Sequence, residues 1–132
     1  SLIEVFINIG LVPDSGSSYF LPRLVGSSKA FELASTGLKV MGQEAVALGL
    51  ANKSVPLAQL DEAVKEFTDY YATAPTKAIA LMKKMLNKSG QASLKEMLEY
   101  EAYCQDIAGA SADYQEGVRA FIEKRPAVFS GK

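Results

Sequence analysis

The sequence contains no histidine and only one cysteine, Cys104, in 132 residues. Without histidine, the chain cannot supply a Ser-His-Asp triad, a Cys-His dyad or an imidazole ligand, and we predict no metal site. A single cysteine excludes a disulfide framework within the chain and is typical of a reducing compartment, so we expect a cytoplasmic location. Cys104 itself is expected to be a small core residue.

The chain also lacks a large net charge and a long apolar run. Fourteen basic residues face fifteen acidic ones, which gives a formal net charge of −1. This balance gives no electrostatic support for binding nucleic acid or an anionic membrane. No apolar run approaches the ~20 residues that cross a bilayer. We therefore expect neither nucleic acid nor a membrane as a partner.

Residues 2–9 are apolar and β-branched, which favours a strand but is too short to exclude a helix. After Pro56 the pattern becomes helical, with apolar residues at the spacing of one helix face. Ser93 and Glu96 form a capping-box pattern that predicts a long helix to about Ala108.

The last predicted helix begins with the same pattern, Asp113 followed by Glu116, and ends near Lys124. Upstream of it, Glu101 falls on the apolar stripe of its helix, where a buried carboxylate needs a partner. Arg119 and Arg125 are the candidates for a structural ion pair with Glu101.

An apolar run stops abruptly at Pro13 and is followed by Asp14, Ser15 and Gly16. This order predicts an extended segment, a sharp turn and a helix start. Proline and aspartate are common turn residues, and Asp14 or Ser15 could simply cap the next helix. From the local pattern alone, a turn or cap is therefore the plainer interpretation of Asp14.

Several motifs in register resemble the crotonase superfamily of enoyl-CoA hydratases and isomerases. Gly10-Leu11-Val12-Pro13-Asp14-Ser15-Gly16 is followed by Leu21-Pro22-Arg23-Leu24-Val25-Gly26, and Glu116-Gly117-Val118-Arg119-Ala120-Phe121-Ile122-Glu123-Lys124-Arg125 lies near the end. The resemblance covers nearly the whole chain. Members of the superfamily are about twice as long, so we expect this chain to be the C-terminal half of a larger enzyme.

The resemblance implies a mainly helical chain that is part of an α/β fold. Residues 1–56 would form the end of the superfamily's spiral of ββα turns, which is the catalytic domain. Residues 57–132 would form a C-terminal helical domain that packs against neighbouring subunits in a trimer. A homotrimer or hexamer is therefore the expected assembly.

The resemblance also implies chemistry on a coenzyme A thioester, with no prosthetic group, through a thioester enolate. Hydratases of the superfamily use two glutamates, and the position of one of them is occupied here by Phe6. A subset of isomerases instead uses an aspartate directly after the proline that matches Pro13, which is Asp14. An apolar wall of Phe6, Leu11 and Val12 would line the substrate pocket and desolvate this base.

Phe121 and Lys124 match positions that meet the nucleotide end of coenzyme A from an adjacent subunit. An aromatic ring suits the adenine and an ammonium suits a phosphate. The same spacing also fits a packed helix, with Phe121 in the core and Lys124 as a solvated charge at the helix end. Both interpretations stay open at the level of sequence.

The sequence and the resemblance are therefore compatible with three functions. The first is an acyl-CoA double-bond isomerase in fatty-acid or aromatic-acid breakdown, with Asp14 as a single proton shuttle. The second is an enoyl-CoA hydratase, a lyase, against which Phe6 argues unless a residue upstream of this chain compensates for it. The third, for the chain by itself, is a non-catalytic helical module for assembly or for binding the coenzyme A tail, because the resemblance places both oxyanion-hole donors upstream.

Overall fold

The computed structural model describes all 132 residues. The chain divides into two compact units, Ser1–Leu60 and Asp61–Lys132. The prediction of a mainly helical chain is confirmed, with seven α-helices: α1 Ser17–Val25, α2 Ser27–Thr36, α3 Gly42–Ala47, α4 Leu60–Ala72, α5 Thr76–Ser89, α6 Leu94–Gly109 and α7 Ala112–Glu123. Two 3₁₀ helices, Val5–Ile9 and Leu57–Gln59, complete the regular structure.

Of the two structures left open for residues 2–9, the favoured strand is absent over most of the length and a short helix forms instead. Only Leu2 is paired, in an isolated antiparallel bridge with Val40, and a 3₁₀ helix occupies Val5–Ile9. A strand needs a neighbouring strand to satisfy its N–H and C=O groups. Beyond Val40 no segment of this chain offers that pairing, so the backbone forms its hydrogen bonds locally.

The first unit is built around a small apolar core of Leu33, Val40 and Ala45. Gly37 ends α2 in the left-handed conformation, with its N–H donating to the Leu33 carbonyl at 3.1 Å. A Cβ at position 37 would lie 3.2 Å from the Ile7 side chain. Glycine therefore permits the close approach between α2 and the 3₁₀ helix that precedes the Asp14 loop.

In the second unit, α5 packs against α6 and α6 packs against α7. The capping box of α6 is confirmed, because the Ser93 hydroxyl accepts from the Glu96 N–H and the Glu96 carboxylate accepts from the Ser93 N–H. Cys104 is 2% exposed on α6, which confirms its core role.

The capping box predicted for α7 is wrong. Ser111, two residues earlier than the predicted Asp113, caps the helix by accepting from the Tyr114 N–H at 3.1 Å. Asp113 and Glu116 lie inside α7, and their carboxylates bind the chain that follows the helix. The local pattern was ambiguous because a carboxylate in a first helical turn serves a cap or a distant partner equally well.

Candidate functional site

Asp14 lies in the loop between the first 3₁₀ helix and α1, and main-chain hydrogen bonds fix both ends of this loop. At its start, the Leu11 N–H donates to the Phe6 carbonyl at 3.0 Å. At its end, the Ser17 N–H donates to the Asp14 carbonyl at 2.8 Å. The intervening Ser15 and Gly16 have φ values of 52° and 83°. Two consecutive left-handed residues are the signature of a type I′ turn.

The turn places Asp14 directly before α1 without using its side chain as a cap. The N-cap of α1 is Gly16, and no side chain hydrogen-bonds to that end of the helix. Asp14 is exposed, and its carboxylate makes no hydrogen bond or ion pair within the chain. The capping role left open for Asp14 and Ser15 is therefore wrong, and the Asp14 carboxylate has all its acceptor sites available.

A side-chain contact that the sequence did not reveal also holds this loop. The Ser17 hydroxyl donates to the carboxylate of the half-buried Glu4, which precedes the 3₁₀ helix. This bond joins the two elements that flank the Asp14 loop. The residues lie thirteen positions apart, so no local pattern indicated their contact.

The predicted pocket residues lie beside the same loop. Phe6 is half-buried, whereas Leu11 and Val12 are exposed to 55% and 78%. The Phe6–Leu11 main-chain bond brings these two residues together at the start of the loop. Leu11 and Val12 thus lie within three residues of Asp14 with more than half of their surface exposed, whereas Phe6 is largely covered.

Phe121 and Lys124 lie at the C-terminal end of α7. Phe121 is 85% exposed and its neighbours on the helix, Val118 and Ile122, are 41% and 73% exposed. The alternative in which Phe121 is a core residue of this chain is therefore wrong. Phe121 instead borders an apolar groove of about 450 Å³ between helices of the second unit, whose other lining residues include Ala78, Ala108, Gly117 and Phe129.

The end of α7 is held by a network around Glu116. Its carboxylate accepts two hydrogen bonds from the Arg125 guanidinium, at 2.6 and 2.9 Å, and a third from the Val128 N–H at 3.0 Å. The bonds from Arg125, followed by that from Val128, lower the pKa of Glu116 to about 2. Arg125 also donates from Nε to Glu123 at 2.6 Å.

The ion pair expected for Glu101 is thus wrong, because Arg125 pairs with Glu116 and Glu123 while Glu101 is exposed. The sequence identified a correct cation but assigned it the wrong acid. The spacing of Glu116 and Arg125, nine residues, exceeds the three or four at which helix neighbours meet. Their contact depends on the chain reversing after α7.

Asp113 holds the chain terminus in the same way. It is 4% exposed and accepts hydrogen bonds from the Ser130 N–H at 2.7 Å and the Gly131 N–H at 2.8 Å. The bond from the Ser130 N–H lowers the pKa of Asp113, and the bond from the Gly131 N–H lowers it further. Two acidic residues of α7 therefore fix the final segment of the chain.

No group of three or more His, Cys, Asp or Glu side chains is arranged to hold a metal ion. None of the helices combines the length and apolar character needed to cross a membrane.

Comparison with known proteins identifies the protein family to which this chain belongs. The sequence profile of the enoyl-CoA hydratase/isomerase family matches residues 2–132, and the chain belongs to this family. Among solved structures, an enoyl-CoA hydratase/isomerase from Cupriavidus metallidurans CH34 superposes with a TM-score of 0.89 at 32% identity. That alignment covers 96% of this chain and 48% of the other. The predicted crotonase fold is confirmed.

Some of the individual relatives are named hydratases and others isomerases. A probable enoyl-CoA hydratase of Rhodobacter capsulatus is 36% identical over 100% of this chain and 51% of its own length. The 1,2-epoxyphenylacetyl-CoA isomerase of Escherichia coli K12 is 35% identical over 98% of this chain and 50% of its own length. The chain thus spans about half the length of the curated relatives it matches.

Proposed function

We propose that the enzyme to which this chain contributes is an acyl-CoA double-bond isomerase with Asp14 as its single proton shuttle. The observation that carries the proposal is a carboxylate without a bonded partner directly after Pro13, while Phe6 stands where the resemblance places an acid of the hydratases. Phenylalanine cannot transfer a proton, so we assign both proton transfers to Asp14. The similarity to a protein named 1,2-epoxyphenylacetyl-CoA isomerase is in line with this proposal.

The proposed reaction needs only one carboxylate. Asp14 removes a proton from a carbon beside the double bond, and the electron pair moves into the thioester to give an enolate. The protonated Asp14 then returns the proton to a different carbon, the double bond shifts, and the carboxylate is regenerated. Water addition would need a second group to orient and activate the water, which this loop does not supply.

The test is Asp14→Asn in the full-length enzyme, with double-bond migration in an enoyl-CoA followed spectroscopically. The amide keeps the shape but cannot take a proton, so turnover should fall by at least ~100-fold, as is usual for general acid–base groups. Asp106→Asn, at an exposed carboxylate on α6, is the matched control and should keep full turnover. Near wild-type turnover in Asp14→Asn would contradict the assignment.

Hydration is the second candidate function, and a relative named as a probable hydratase supports it. The same assay separates the two, because hydration consumes the double bond whereas isomerisation keeps it. If wild-type enzyme hydrates its substrate and does not isomerise it, the proposal fails. In the isomerase case, Phe6→Glu should add a small hydration activity, since it restores a second carboxylate near the loop.

We propose that residues 1–56 are the catalytic part. Residues 57–132 would be the oligomerisation domain of a cytoplasmic homotrimer or hexamer. Coenzyme A would be the substrate carrier, with no prosthetic group. The support is the exposed apolar surface of α7 and the apolar groove beside it. Alone, the chain would then be an inactive module for assembly or coenzyme A binding. Light scattering across concentration tests this, and a monomer at every concentration would contradict it.

A further inference from the structure

The end of α7 has a lysine at a position where helices usually have glycine. Lys124 has φ 54° and ψ 41°, the left-handed conformation. The Arg125 N–H donates to the Ala120 carbonyl at 3.0 Å and the Lys124 N–H donates to the Phe121 carbonyl at 3.3 Å. These two bonds define a Schellman motif, in which the left-handed residue is most often glycine. For lysine this conformation is disfavoured, because its Cβ crowds the following carbonyl oxygen.

The Glu116–Arg125 pair holds the chain in this unfavourable conformation. The guanidinium of Arg125 is bound along one edge by both oxygens of Glu116 and at Nε by Glu123. A planar guanidinium held at several nitrogens has little freedom to rotate. Because Glu123 and Arg125 are the two neighbours of Lys124, the network fixes the chain on both sides of it.

Two side chains at this helix end remain outside the network. Phe121 is exposed, although its carbonyl accepts a bond of the motif, and Lys124 is exposed and forms no ion pair. They are an aromatic ring and an ammonium on one fixed helix end. Glycine at position 124 would make the same cap without strain. A strained residue that the surroundings hold in place points to a use for its side chain.

We propose that Glu116 and Arg125 are positioning residues that present Phe121 and Lys124 to the nucleotide end of an acyl-CoA. The proposal rests on the proposed function, since it assumes a coenzyme A thioester as substrate. Glu116 and Arg125 do not touch the ligand. They fix the left-handed turn from which the Lys124 ammonium meets a phosphate and the Phe121 ring meets the adenine.

The first test compares two substrates of the full-length enzyme, an enoyl-CoA and the corresponding enoyl-pantetheine thioester, which lacks the nucleotide. Glu116→Gln keeps the shape but loses the charge that holds Arg125. It should raise KM for the enoyl-CoA by about tenfold, the scale of a lost charge-assisted contact, with kcat nearly unchanged. KM for the pantetheine thioester should not change. Asp69→Asn, which breaks the exposed Lys65–Asp69 pair on α4, is the control and should affect neither.

The second test separates positioning from stability. Lys124→Gly relieves the strain and removes the ammonium, so it should raise Tm or leave it unchanged while raising KM for the enoyl-CoA. When Glu116→Gln is added to Lys124→Gly, it should raise KM for the enoyl-CoA less than it does in the wild type. The reason is that the ammonium positioned by Glu116 is already gone.

Three results would overturn the proposal: an equal KM change with both substrates in Glu116→Gln, no change with either, or an unchanged KM for enoyl-CoA in Lys124→Gly. Calorimetric titration with coenzyme A alone gives a readout that does not depend on turnover. If the enzyme shows no isomerisation but Glu116→Gln weakens coenzyme A binding, the proposed function fails and the positioning role stands. If isomerisation is intact and coenzyme A binding is unchanged in Glu116→Gln, the positioning role fails alone.

Discussion

The loop that carries Asp14 is fixed mainly by main-chain hydrogen bonds, whereas the end of α7 that carries Phe121 and Lys124 is fixed mainly by charged side chains. Around Asp14, a turn through Ser15 and Gly16 sets the geometry. At the end of α7, the carboxylate of Glu116 binds both Arg125 and the Val128 N–H. The two regions should therefore respond to different perturbations: backbone substitutions for the first, and loss of charge for the second.

Among the changes that test this difference between the two regions, Gly16→Ala should have the largest effect, which is a loss of turnover. Gly16 has φ 83°, and an added Cβ would lie 3.1 Å from the Phe20 ring, so alanine is strained there on both counts. The turn should shift and move Asp14, and a displacement of about 1 Å costs roughly 100-fold in turnover. Steady-state isomerisation kinetics measure this.

Gly109→Ala is the matched control for Gly16→Ala. Gly109 ends α6, has no positive φ, and has nothing within 4 Å of an added Cβ. Its replacement should leave turnover unchanged and stabilise the chain by up to ~1 kcal/mol. Equal losses of turnover in both variants would mean that the Asp14 loop is not fixed by its turn in the way described.

An intermediate effect is expected when the pH is lowered. Acid should destabilise the end of α7 that carries Phe121 and Lys124. The pKa of Glu116 lies near 2 in the folded chain and near 4.5 without its partners. Its stabilising effect is therefore complete above pH 4.5 and is lost as the pH falls towards 2. The lowered pKa of Asp113 acts in the same direction. Urea unfolding midpoints measured along this range should fall with pH.

Glu116→Gln sharpens the acid experiment, because an amide does not titrate. The variant should be less stable than the wild type at neutral pH, and the difference should shrink as the pH falls. At neutral pH the contrast is Asp14→Asn, which removes a carboxylate that no group within the chain binds. A wild-type midpoint that does not depend on pH between 4.5 and 2 would refute the charge-based description of this helix end.

The smallest effect is expected from Ser17→Ala, which removes the one side-chain bond that braces the Asp14 loop. The Glu4 carboxylate is half-buried and would lose its donor. Stability should fall by about 1 kcal/mol, the net value of a typical hydrogen bond. Turnover should fall only a few-fold, because the main-chain bonds of the turn remain. Chemical denaturation and kinetics on the same variant measure both. A loss as large as that of Gly16→Ala would show that side chains, rather than the backbone, fix this loop.

Much of the local structure followed from the sequence because its signals act over a few residues. Ser93 and Glu96 predicted the capping box of α6, since the two residues bond to each other within one helical turn. The order of Pro13, Asp14 and Gly16 likewise predicted a turn before a helix. The family followed from the spacing of motifs along the whole chain.

The tertiary structure alone decided features that join distant residues. The sequence could not assign Glu116 to Arg125, nor Glu4 to Ser17, because these contacts span nine and thirteen residues. It favoured a strand over a helix for residues 2–9, where only Leu2 finds a pairing partner and a 3₁₀ helix forms. It left the exposure of Phe121 open, since an amphipathic pattern does not say what covers each side chain. Local signals determined where elements begin and end, whereas pairing and exposure depended on which segments the folded chain brings together.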